Sequence, residues 1–452
     1  MKYSLIAGVV AFALNADLTQ AQEGLLYTTG DGNFDWEGYQ AFADGHDLSG
    51  EGLTIFGPWL AAESKSFENL VAYFNEATGA NANYVGSDSL EQQILIDAAA
   101  GSAPNLTVFP QPGLAASLAK DGYLTPLQEG TDEWIRDNFA AGQSWVDLGT
   151  YKNPEGNDAF YGFFFNVNVK SLVWYVPENF EDFGYQVPQS MEEFQSLMDQ
   201  MVADGETPLC VGLASGGATG WPATDWVEDM MLRTQPPEVY DDWVSNNMPF
   251  DDPRVIAAVE EYGRLTRKNE YVSGDADDTA AIDFRDSPKG LFSSPPSCMM
   301  HRQASFIPAY FPEGTELGAD VDFFYFPAYA EKDLGTPVLG AGTLFTITSP
   351  SSAADAFMQF LRTPFAHEIM MSQDGFLTPH LGANPANYAN DTQRGQGEIL
   401  TNATTFRFDG SDLMPGAVGA GTFWTGMVDY SSGAKSAEEV AAEIQSSWDA
   451  LK

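Results

Sequence analysis

The chain alternates between strand-like and helix-like segments, and this alternation constrains its fold most strongly. The segment SFENLVAYFNEATG (66–79) spaces its apolar residues along one helical face and ends in a glycine. ANYVG (82–86) and NLTVFP (105–110) have the pattern of short buried strands, and so does LCVGL (209–213). Strand followed by helix, repeated along the chain, predicts an α/β architecture with mainly parallel sheets.

Residue pairs typical of helix capping predict where several helices begin. A capping box places a side-chain oxygen three residues before a glutamate, so that each side chain accepts from a free backbone N–H group. Pairs with this spacing include Asp88 with Glu91, Ser190 with Glu193, and Ser436 with Glu439. With 452 residues, of which 44% are hydrophobic, the chain has the material for about two or three domains.

The charge balance excludes several classes of partner. There are 64 acidic and 20 basic residues, which give a formal net charge of −44. Such an excess repels nucleic acids and anionic membranes, and it does not suit an anionic ligand unless a pocket of Arg or Lys opposes the general field. A neutral ligand is compatible with it.

The N-terminus, MKYSLIAGVVAFALNADLTQA, has the pattern of a secretory signal peptide over residues 1–21. A single lysine precedes a short apolar segment, and small residues follow at the expected cleavage site. A buried first helix is the alternative. Residues 22–51 then form an N-terminal extension without an assigned role. In an exported chain we expect Cys210 and Cys298 to pair, with two buried free thiols as the alternative.

Motifs for catalysis or cofactor binding are missing from the sequence. The four histidines lack zinc-site spacing, and no GxSxG, P-loop or GxGxxG motif occurs. DGNFDWEG carries Trp36 where an EF-hand loop needs glycine. We therefore expect no catalytic residue, metal or cofactor. Paired carboxylates for glycoside hydrolysis stay an open alternative, because their spacing is spatial rather than sequential.

Aromatic, amide and charged side chains instead gather in loops that follow predicted strands. Open α/β sheets bind ligands beyond the carboxyl ends of their strands. A sugar offers an apolar face that stacks on aromatic rings and hydroxyls that pair with Asp, Gln and Arg. The ligand-binding candidates in these loops are Trp59, Asp88, Gln111, Trp174, Tyr175, His301, Gln303, Phe306, Arg407, Asp412 and Trp424.

The segment GWPATDWVEDMM (220–231) adds Trp221, Asp225 and Trp226 to the candidates. Trp221, between a glycine and a proline, is expected in a loop where it stacks on the ligand. Asp225 and Glu228 also have the spacing of a helix N-cap, and Trp226 also fits a core position.

Two basic residues near these segments have simpler interpretations. Lys170 is expected on the surface, and Arg407 is also expected to pair with Asp409 or Asp412 in its own loop.

Several stretches together resemble the alpha-glucoside-binding periplasmic proteins of bacterial ABC sugar importers, a group within the maltose-binding-like solute-binding proteins. The resemblance covers nearly the whole mature chain. The stretches that carry it include LTIFGPWL, GSDSLEQQILIDAAAGSAPNLTVFPQPGLAASL, VKSLVWYVPENF, GWPATDWVEDMMLRTQPPEVYDDWVSN, HRQASFIPAYFPEG and LTNATTFRFDGSDLMP.

The resemblance implies a two-lobed α/β fold that closes on a sugar and delivers it to a membrane permease. The expected first lobe comprises 52–164 and 304–366, and the second comprises 165–303 and 367–452 with the C-terminal helices. Crossings between lobes are expected near 161–168, 301–308 and 364–370. We expect a periplasmic monomer that binds maltose, trehalose or sucrose. A binding protein for another polyol or modified sugar, and a secreted glycoside hydrolase, are the alternatives.

Overall fold

The computed structural model describes residues 24–140 and 142–452, so the expected signal peptide lies outside the described residues. The strands are β1 (Gly52–Gly57), β2 (Asn81–Gly86), β3 (Leu106–Phe109), β4 (Thr150–Lys152), β5 (Asp158–Phe160), β6 (Gly162–Val169), β7 (Leu172–Tyr175), β8 (Met300–Arg302), β9 (Asp322–Tyr325), β10 (Pro337–Ile347) and β11 (Thr405–Phe408).

The α-helices surround these strands. They are α1 (Trp36–Asp44), α2 (Ala61–Thr78), α3 (Leu90–Ala100), α4 (Pro112–Lys120), α5 (Thr131–Asn138), α6 (Gly142–Leu148), α7 (Pro177–Phe183), α8 (Met191–Asp204), α9 (Trp221–Thr234), α10 (Pro237–Val244), α11 (Pro253–Thr266), α12 (Ser352–Phe360), α13 (Pro364–Met371), α14 (Asp391–Asn402), α15 (Gly410–Leu413), α16 (Trp424–Ser431) and α17 (Ala437–Asp449). None of the helices in the described part of the chain combines the length and apolar character that a bilayer span requires.

The largest sheet has six strands in the order β11-β10-β3-β1-β2, with β6 paired to β10. Strands β1, β2 and β3 are parallel, whereas β10 is antiparallel to both β3 and β6. The expectation of mainly parallel sheets is therefore only partly correct. Two further sheets, β8-β7-β9 and β4-β5, are antiparallel.

Two large hydrophobic clusters define two lobes. The first lobe is built on the six-stranded sheet, and its cluster contains buried residues from 39 to 167 and from 341 to 408. The second lobe has a cluster with residues from 173 to 339 and from 414 to 444. A smaller third cluster includes Val169, Leu172, Phe284 and Ile307.

The chain passes between the two large clusters at three places, namely 167–173, 339–341 and 408–414. The first passage lies next to the expected crossing at 161–168. The other two differ from expectation, because 301–308 contributes to the third cluster and 364–370 contributes to the first. Residues 304–339 accordingly pack with the second and third clusters rather than with the first lobe.

Most of the predicted elements agree with the structure. The helix at 66–79 is α2, which ends at Gly79 in the left-handed region with φ 71°. Strands β2 and β3 are present, and the Ser190 and Ser436 side chains cap α8 and α17 as predicted.

Two local predictions are wrong. Helix α3 begins after Ser89 without a side-chain cap, so the N-cap position is Ser89 and not Asp88, and the Glu91 carboxylate accepts a hydrogen bond from Gln111. LCVGL is extended but forms no regular strand, and only Leu209 makes bridges to its neighbours.

The N-terminal extension packs against the first lobe. Tyr39 and Phe42 of α1 belong to the buried first cluster, and Tyr39 stacks on Phe365 with ring centroids 4.4 Å apart. The Glu368 carboxylate accepts hydrogen bonds from the backbone N–H groups of Asp35 and Asn384. Residues from 24 onward are therefore part of the folded lobe.

Candidate functional site

A cavity of about 130 Å³ lies where residues of both lobes meet. Strands β1, β2 and β3 are parallel, so the loops after them emerge at one edge of the sheet. These loops bring Trp59, Asp88 and Gln111 to the cavity. The other residues around it are Pro58, Glu63, Ser87, Glu91, Pro110, Asn168, Lys170, Ser215, Ala218, Trp221, Phe284, Arg285, Phe306, Ala341, Gly342, Thr343, Asp409, Asp412 and Trp424.

On the side of the first lobe, the cavity wall is held by hydrogen bonds and ring contacts. The backbone N–H of Trp59 donates to the Tyr84 hydroxyl at 2.7 Å, and the Trp59 ring packs on Phe67 at 4.8 Å. Gln111 Nε2 donates to Glu91 Oε1 at 3.0 Å. Glu91 and Gln111 are both buried, and this bond fixes their side chains relative to each other.

On the side of the second lobe, Trp221 is the first residue of α9 and does not lie in a loop. The prediction of a loop was wrong because proline fits the first turn of a helix, where its missing N–H costs nothing. The Trp221 ring meets Phe284 edge-on at 4.9 Å and Phe306 at 6.0 Å. These three rings form an aromatic wall of the cavity.

Lys170 is buried beneath this wall, in contrast to the expected surface position. Its ammonium group contacts Asp225 Oδ1 at 2.8 Å and also pairs with Asp409. It lies 5.3 Å from the centre of the Trp221 ring. Burial acts to lower the pKa of Lys170, but Asp225 and Asp409 outweigh it and hold the pKa well above its usual value.

Asp225 is an interior residue of α9 and not its N-cap, because the helix begins four residues earlier. Asp225, Glu228 and Asp409 are close enough to form a metal-ligand set, but Lys170 already compensates two of these carboxylates. Glu228 accepts from the backbone N–H groups of Gly410 and Ser411 at 2.8 and 2.9 Å. Burial raises the pKa of Asp225 to about 7.

Asp412 lines the cavity above this charged cluster and is buried. Burial, followed by the negative charge of Asp409, raises the pKa of Asp412 well above its usual value. The carboxyl groups at this end of the cavity therefore resist carrying several negative charges at once.

Several buried polar atoms on cavity residues have no hydrogen-bond partner within the described protein. The acceptors are Glu91 Oε2, Gln111 Oε1 and Asn168 Oδ1, and the donors are Arg285 Nε and Trp424 Nε1. Buried polar groups are nearly always paired, because an unpaired one costs about 1–3 kcal/mol. The unpartnered atoms thus include both donors and acceptors.

Of the ligand-binding candidates from the sequence, seven line the cavity: Trp59, Asp88, Gln111, Trp221, Phe306, Asp412 and Trp424. The other seven, Trp174, Tyr175, Asp225, Trp226, His301, Gln303 and Arg407, are not on its lining.

The aromatic residues among the seven candidates that do not line the cavity contribute to the packing of the protein core. Trp174 is fully buried, and its Nε1 donates to the Gln303 carbonyl at 3.0 Å. Tyr175 packs on Phe180 at 4.5 Å, and Trp226 belongs to the buried second cluster.

The polar members bind neighbouring protein groups. His301 Nδ1 lies 2.9 Å from the Cys210 carbonyl oxygen, and burial lowers the pKa of His301 to about 4. Gln303 Oε1 accepts from the N–H of Ala304. Arg407 forms a two-pronged contact with Asp241, at 2.6 and 2.8 Å, and not with Asp409 or Asp412.

Cys210 and Cys298 form a disulfide bond in the structure. Both belong to the third cluster, together with Phe284 of the aromatic wall. The bond thus ties the chain that precedes β8 to the segment that precedes α9.

Sequence reasoning missed Glu63, Glu91, Asn168, Lys170, Phe284 and Arg285 at the cavity. Glu91 was interpreted as a capping residue, although its position beyond β2 placed it near Asp88. Asn168 and Lys170 follow a long apolar run, FFFNV, and polar residues at the end of such a run are a usable signal. Phe284 and Arg285 lie in an irregular segment with no periodicity to interpret.

Solved structures of sugar-binding proteins share the overall fold. A chitin oligosaccharide binding protein superposes with a TM-score of 0.74 at 18% identity and covers 88% of this chain and 98% of its own. A maltose-bound T. maritima MalE3 superposes with a TM-score of 0.69 at 13% identity, with 89% and 100% covered. These matches establish the two-lobed fold and not the ligand.

Two curated proteins are similar in sequence along most of the chain. The alpha-glucosides-binding periplasmic protein AglE of Rhizobium meliloti (strain 1021) is 56% identical over 459 residues, which cover 100% of both chains. The osmoprotective compounds-binding protein GgtB of Synechocystis sp. (strain ATCC 27184 / PCC 6803 / Kazusa) is 40% identical over 397 residues, with 88% and 92% covered. The family model for bacterial extracellular solute-binding proteins matches residues 57–366, and the chain therefore belongs to this family.

Proposed function

We propose that the protein captures an alpha-glucoside of the maltose, trehalose or sucrose type in this cavity and delivers it to an ABC transporter permease. The observation that carries the proposal is the combination of tryptophan rings with unpartnered buried donors and acceptors around one cavity. The relative that is 56% identical over the full length is named as an alpha-glucosides-binding periplasmic protein.

The aromatic rings around the cavity supply apolar faces for a sugar. Trp59 belongs to the first lobe, whereas Trp221 and Trp424 come from helices of the second-lobe side. Transfer of a hexose ring from water to a site between such surfaces costs little free energy. Its C–H face is apolar, and its hydroxyls form hydrogen bonds with polar groups at the edge of the site. Asp88, Gln111 and Asp412 are proposed hydroxyl-binding groups.

The mechanism is closure of two lobes around the ligand. The ligand is proposed to bind the closed arrangement better than the open one and thereby to shift the population of the two. Asp88 of the first lobe lies against Gly216, where a Cβ atom would approach its carboxylate oxygen to 2.2 Å. Gln92 Nε2 reaches the Gly217 carbonyl at 3.4 Å. These contacts across the cavity mouth support a closed arrangement in the structure.

A compact polyol or modified sugar is the second candidate ligand. It is favoured by the modest cavity, about 130 Å³, and by the name of the relative that is 40% identical, an osmoprotective compounds-binding protein. Hydrolysis of the sugar is not proposed, because the chain belongs to a family of binding proteins.

Isothermal titration of the mature protein with maltose, trehalose, sucrose and ribitol tests the proposal. We expect saturable binding of at least one disaccharide, stronger than that of ribitol, and chromatography afterwards should recover the disaccharide intact. Binding of ribitol alone would favour the second candidate. Release of glucose, or no binding of any of the disaccharides, would contradict the proposed function.

Export and delivery are separate parts of the proposal. The mature chain is proposed to begin near Gln22, to reach the periplasm and to act as a monomer. N-terminal sequencing of periplasmic protein should start near that residue, and an intact Met1 would contradict processing. Sugar-loaded protein should stimulate ATP hydrolysis by the assembled ABC transporter in proteoliposomes, whereas sugar-free protein should do so less.

A further inference from the structure

We propose that Glu91 and Gln111 act together as a paired acceptor site that selects ligands with two neighbouring hydrogen-bond donors, such as adjacent hydroxyls of one sugar ring. The inference rests on the proposed function and identifies the groups that set the specificity of the site.

The pair is fixed by its own hydrogen bond. Gln111 Nε2 donates to Glu91 Oε1 at 3.0 Å, and this bond also determines which way the Gln111 amide is turned. Gln111 lies between Pro110 and Pro112, at the start of α4, so its backbone has little freedom. Glu91 lies in the first turn of α3.

The two remaining oxygens of the pair are unpartnered. Glu91 Oε2 and Gln111 Oε1 are buried and receive no hydrogen bond from the described protein, and both residues line the same cavity. Both residues are more than nine-tenths buried, with 7% and 4% of their surface exposed. Since these oxygens sit on two groups that are bonded to each other, they offer neighbouring acceptors on one wall.

Two other residues of the cavity lining have unpartnered atoms of the complementary kind. These atoms, Arg285 Nε and Trp424 Nε1, are donors. The site therefore requires donors from the ligand at the Glu91 side and acceptors at the Arg285 side. A ligand that cannot donate at Glu91 and Gln111 leaves both oxygens buried and unpaired, and such sites reject analogues strongly.

Lys170 donates no hydrogen bond to the unpartnered oxygens of Glu91 and Gln111. Its ammonium group is engaged by Asp225 and Asp409, whereas the side chain that donates to Glu91 is Gln111. Asn168 Oδ1 is a third unpartnered acceptor and belongs to β6, so it extends the acceptor wall without replacing the pair.

The test uses trehalose and a set of trehalose analogues in which one hydroxyl at a time is replaced by fluorine. Fluorine keeps the size of the group but donates no hydrogen bond. Wild-type protein should lose about ten- to a hundredfold in affinity when either of two adjacent positions is replaced. The variant Glu91→Gln, which exchanges an acceptor for a donor at one atom, should bind trehalose about ten- to a hundredfold more weakly. This variant should also bind trehalose and the analogue fluorinated at one of those two positions with equal affinity.

The matched control is Glu68→Gln, the same substitution at an exposed residue of α2 whose carboxylate accepts a hydrogen bond from the Ser64 hydroxyl. It should bind trehalose and its analogues as wild type does. If Glu91→Gln does not fold, as judged by its thermal melting, Gln111→Met removes the other acceptor and is expected to lose discrimination at the neighbouring position.

The outcomes separate this inference from the proposed function. Tight trehalose binding by wild type, together with unchanged affinity and discrimination in Glu91→Gln and Gln111→Met, would overturn the paired site alone. Wild-type protein that binds neither trehalose nor maltose nor sucrose would overturn the proposed function, and the paired site with it.

Discussion

At the scale of single residues, the site contains charged side chains that are buried, although such side chains normally lie at the protein surface. Lys170 is a buried lysine held between two aspartates, and Asp225 is a buried aspartate inside a helix. A buried ion pair is costly to break from one side, because the other charge is then left uncompensated. The Trp221 ring contacts the Lys170 ammonium group and also lines the cavity.

Replacement of Trp221 tests the role of the aromatic wall. We expect Trp221→Ala to weaken disaccharide binding by about 1–3 kcal/mol, or one to two decades in affinity, because a stacking face is lost. The ring is only partly buried, so its effect on the free energy of unfolding should be smaller than that of a core tryptophan. Titration and thermal melting of the same variant measure both quantities.

The matched comparison is Trp226→Ala, five residues along the same helix. Trp226 is buried in the second cluster and should cost about 3–5 kcal/mol of stability when truncated. A Trp221→Ala variant that melts as early as Trp226→Ala and binds sugar normally would show that Trp221 is a packing residue.

Because of His301, the free energy of unfolding is expected to decrease as the pH falls. Its pKa in the folded protein is about 4, because burial disfavours the charged imidazolium. Between the ordinary histidine value of about 6.5 and the folded value, only the unfolded chain binds the proton, so stability is lost as pH falls through this window. The stability advantage of wild type over His301→Asn should shrink by up to about 1.4 kcal/mol per pH unit on acidification.

Urea unfolding of both proteins at several pH values measures this difference. Gln303→Asn, which changes a neighbouring residue without a titrating group, serves as the control and should show a difference from wild type that is independent of pH. A constant difference for His301→Asn would contradict the assignment of a neutral, buried imidazole.

At the scale of elements, helix α9 carries the second-lobe side of the site, and Gly220 sets its start. Gly220 has φ 113°, and a Cβ atom there would lie 2.2 Å from the carbonyl oxygen of Trp424. The close approach brings the beginning of α9 against the beginning of α16. Trp221 and Trp424, the first residues of these two helices, consequently line one cavity.

Substitution of Gly220 should therefore affect stability and binding together. We expect Gly220→Ala to cost more than about 1 kcal/mol of unfolding free energy, since the residue is strained at this φ and the clash is with backbone. Affinity for the disaccharide should fall as well, because α9 and α16 must separate. Gly205→Ala, at the left-handed C-cap of α8 with no atom within 4 Å of the added Cβ, is the control for strain without a clash. Equal stability and affinity losses in the two variants would argue against the close approach as the cause.

At the scale of the whole molecule, a strongly acidic chain encloses a cavity whose cationic groups are compensated. The net charge of −44 favours solubility and leaves a neutral sugar unaffected. Lys170 and Arg285 are the cationic residues on the cavity lining, and both are paired with aspartates of the protein. An anionic ligand would thus meet little free positive charge.

The disulfide bond links distant parts of the second-lobe side, with a separation of 88 residues between its cysteines in sequence. Thiol counting in unfolded, non-reduced protein should find no free thiol, and reduction should expose two. The variant with serine at both positions should lose about 2–5 kcal/mol of stability, as expected for removal of a native disulfide. Two reactive thiols before reduction would contradict the bond.

The elements of the first lobe could be predicted from sequence because they are set by local patterns. Helical spacing with a terminal glycine indicated α2, and apolar runs indicated β2 and β3. The loops after these parallel strands must meet at one edge of the sheet, so Trp59, Asp88 and Gln111 could be brought together from the sequence alone.

Residues outside regular patterns could not be placed in the same way. Trp174, His301 and Gln303 have the composition of a binding site, yet they are buried against the protein itself. Lys170 was expected at the surface because lysine is seldom buried, and only the approach of Asp225 and Asp409 from distant segments compensates its charge.

The fold class and the strands that open onto the site could be inferred from the chain alone, because they follow from local periodicity and chain direction. Which polar atoms stay unpaired depends instead on the packing of the folded molecule. Glu91 in the first turn of α3 and Gln111 at the start of α4 are joined by a hydrogen bond, and both line the cavity together with Arg285 and Trp424. Hydrogen bonds between residues far apart in the chain arise from this packing, and no local pattern encodes them.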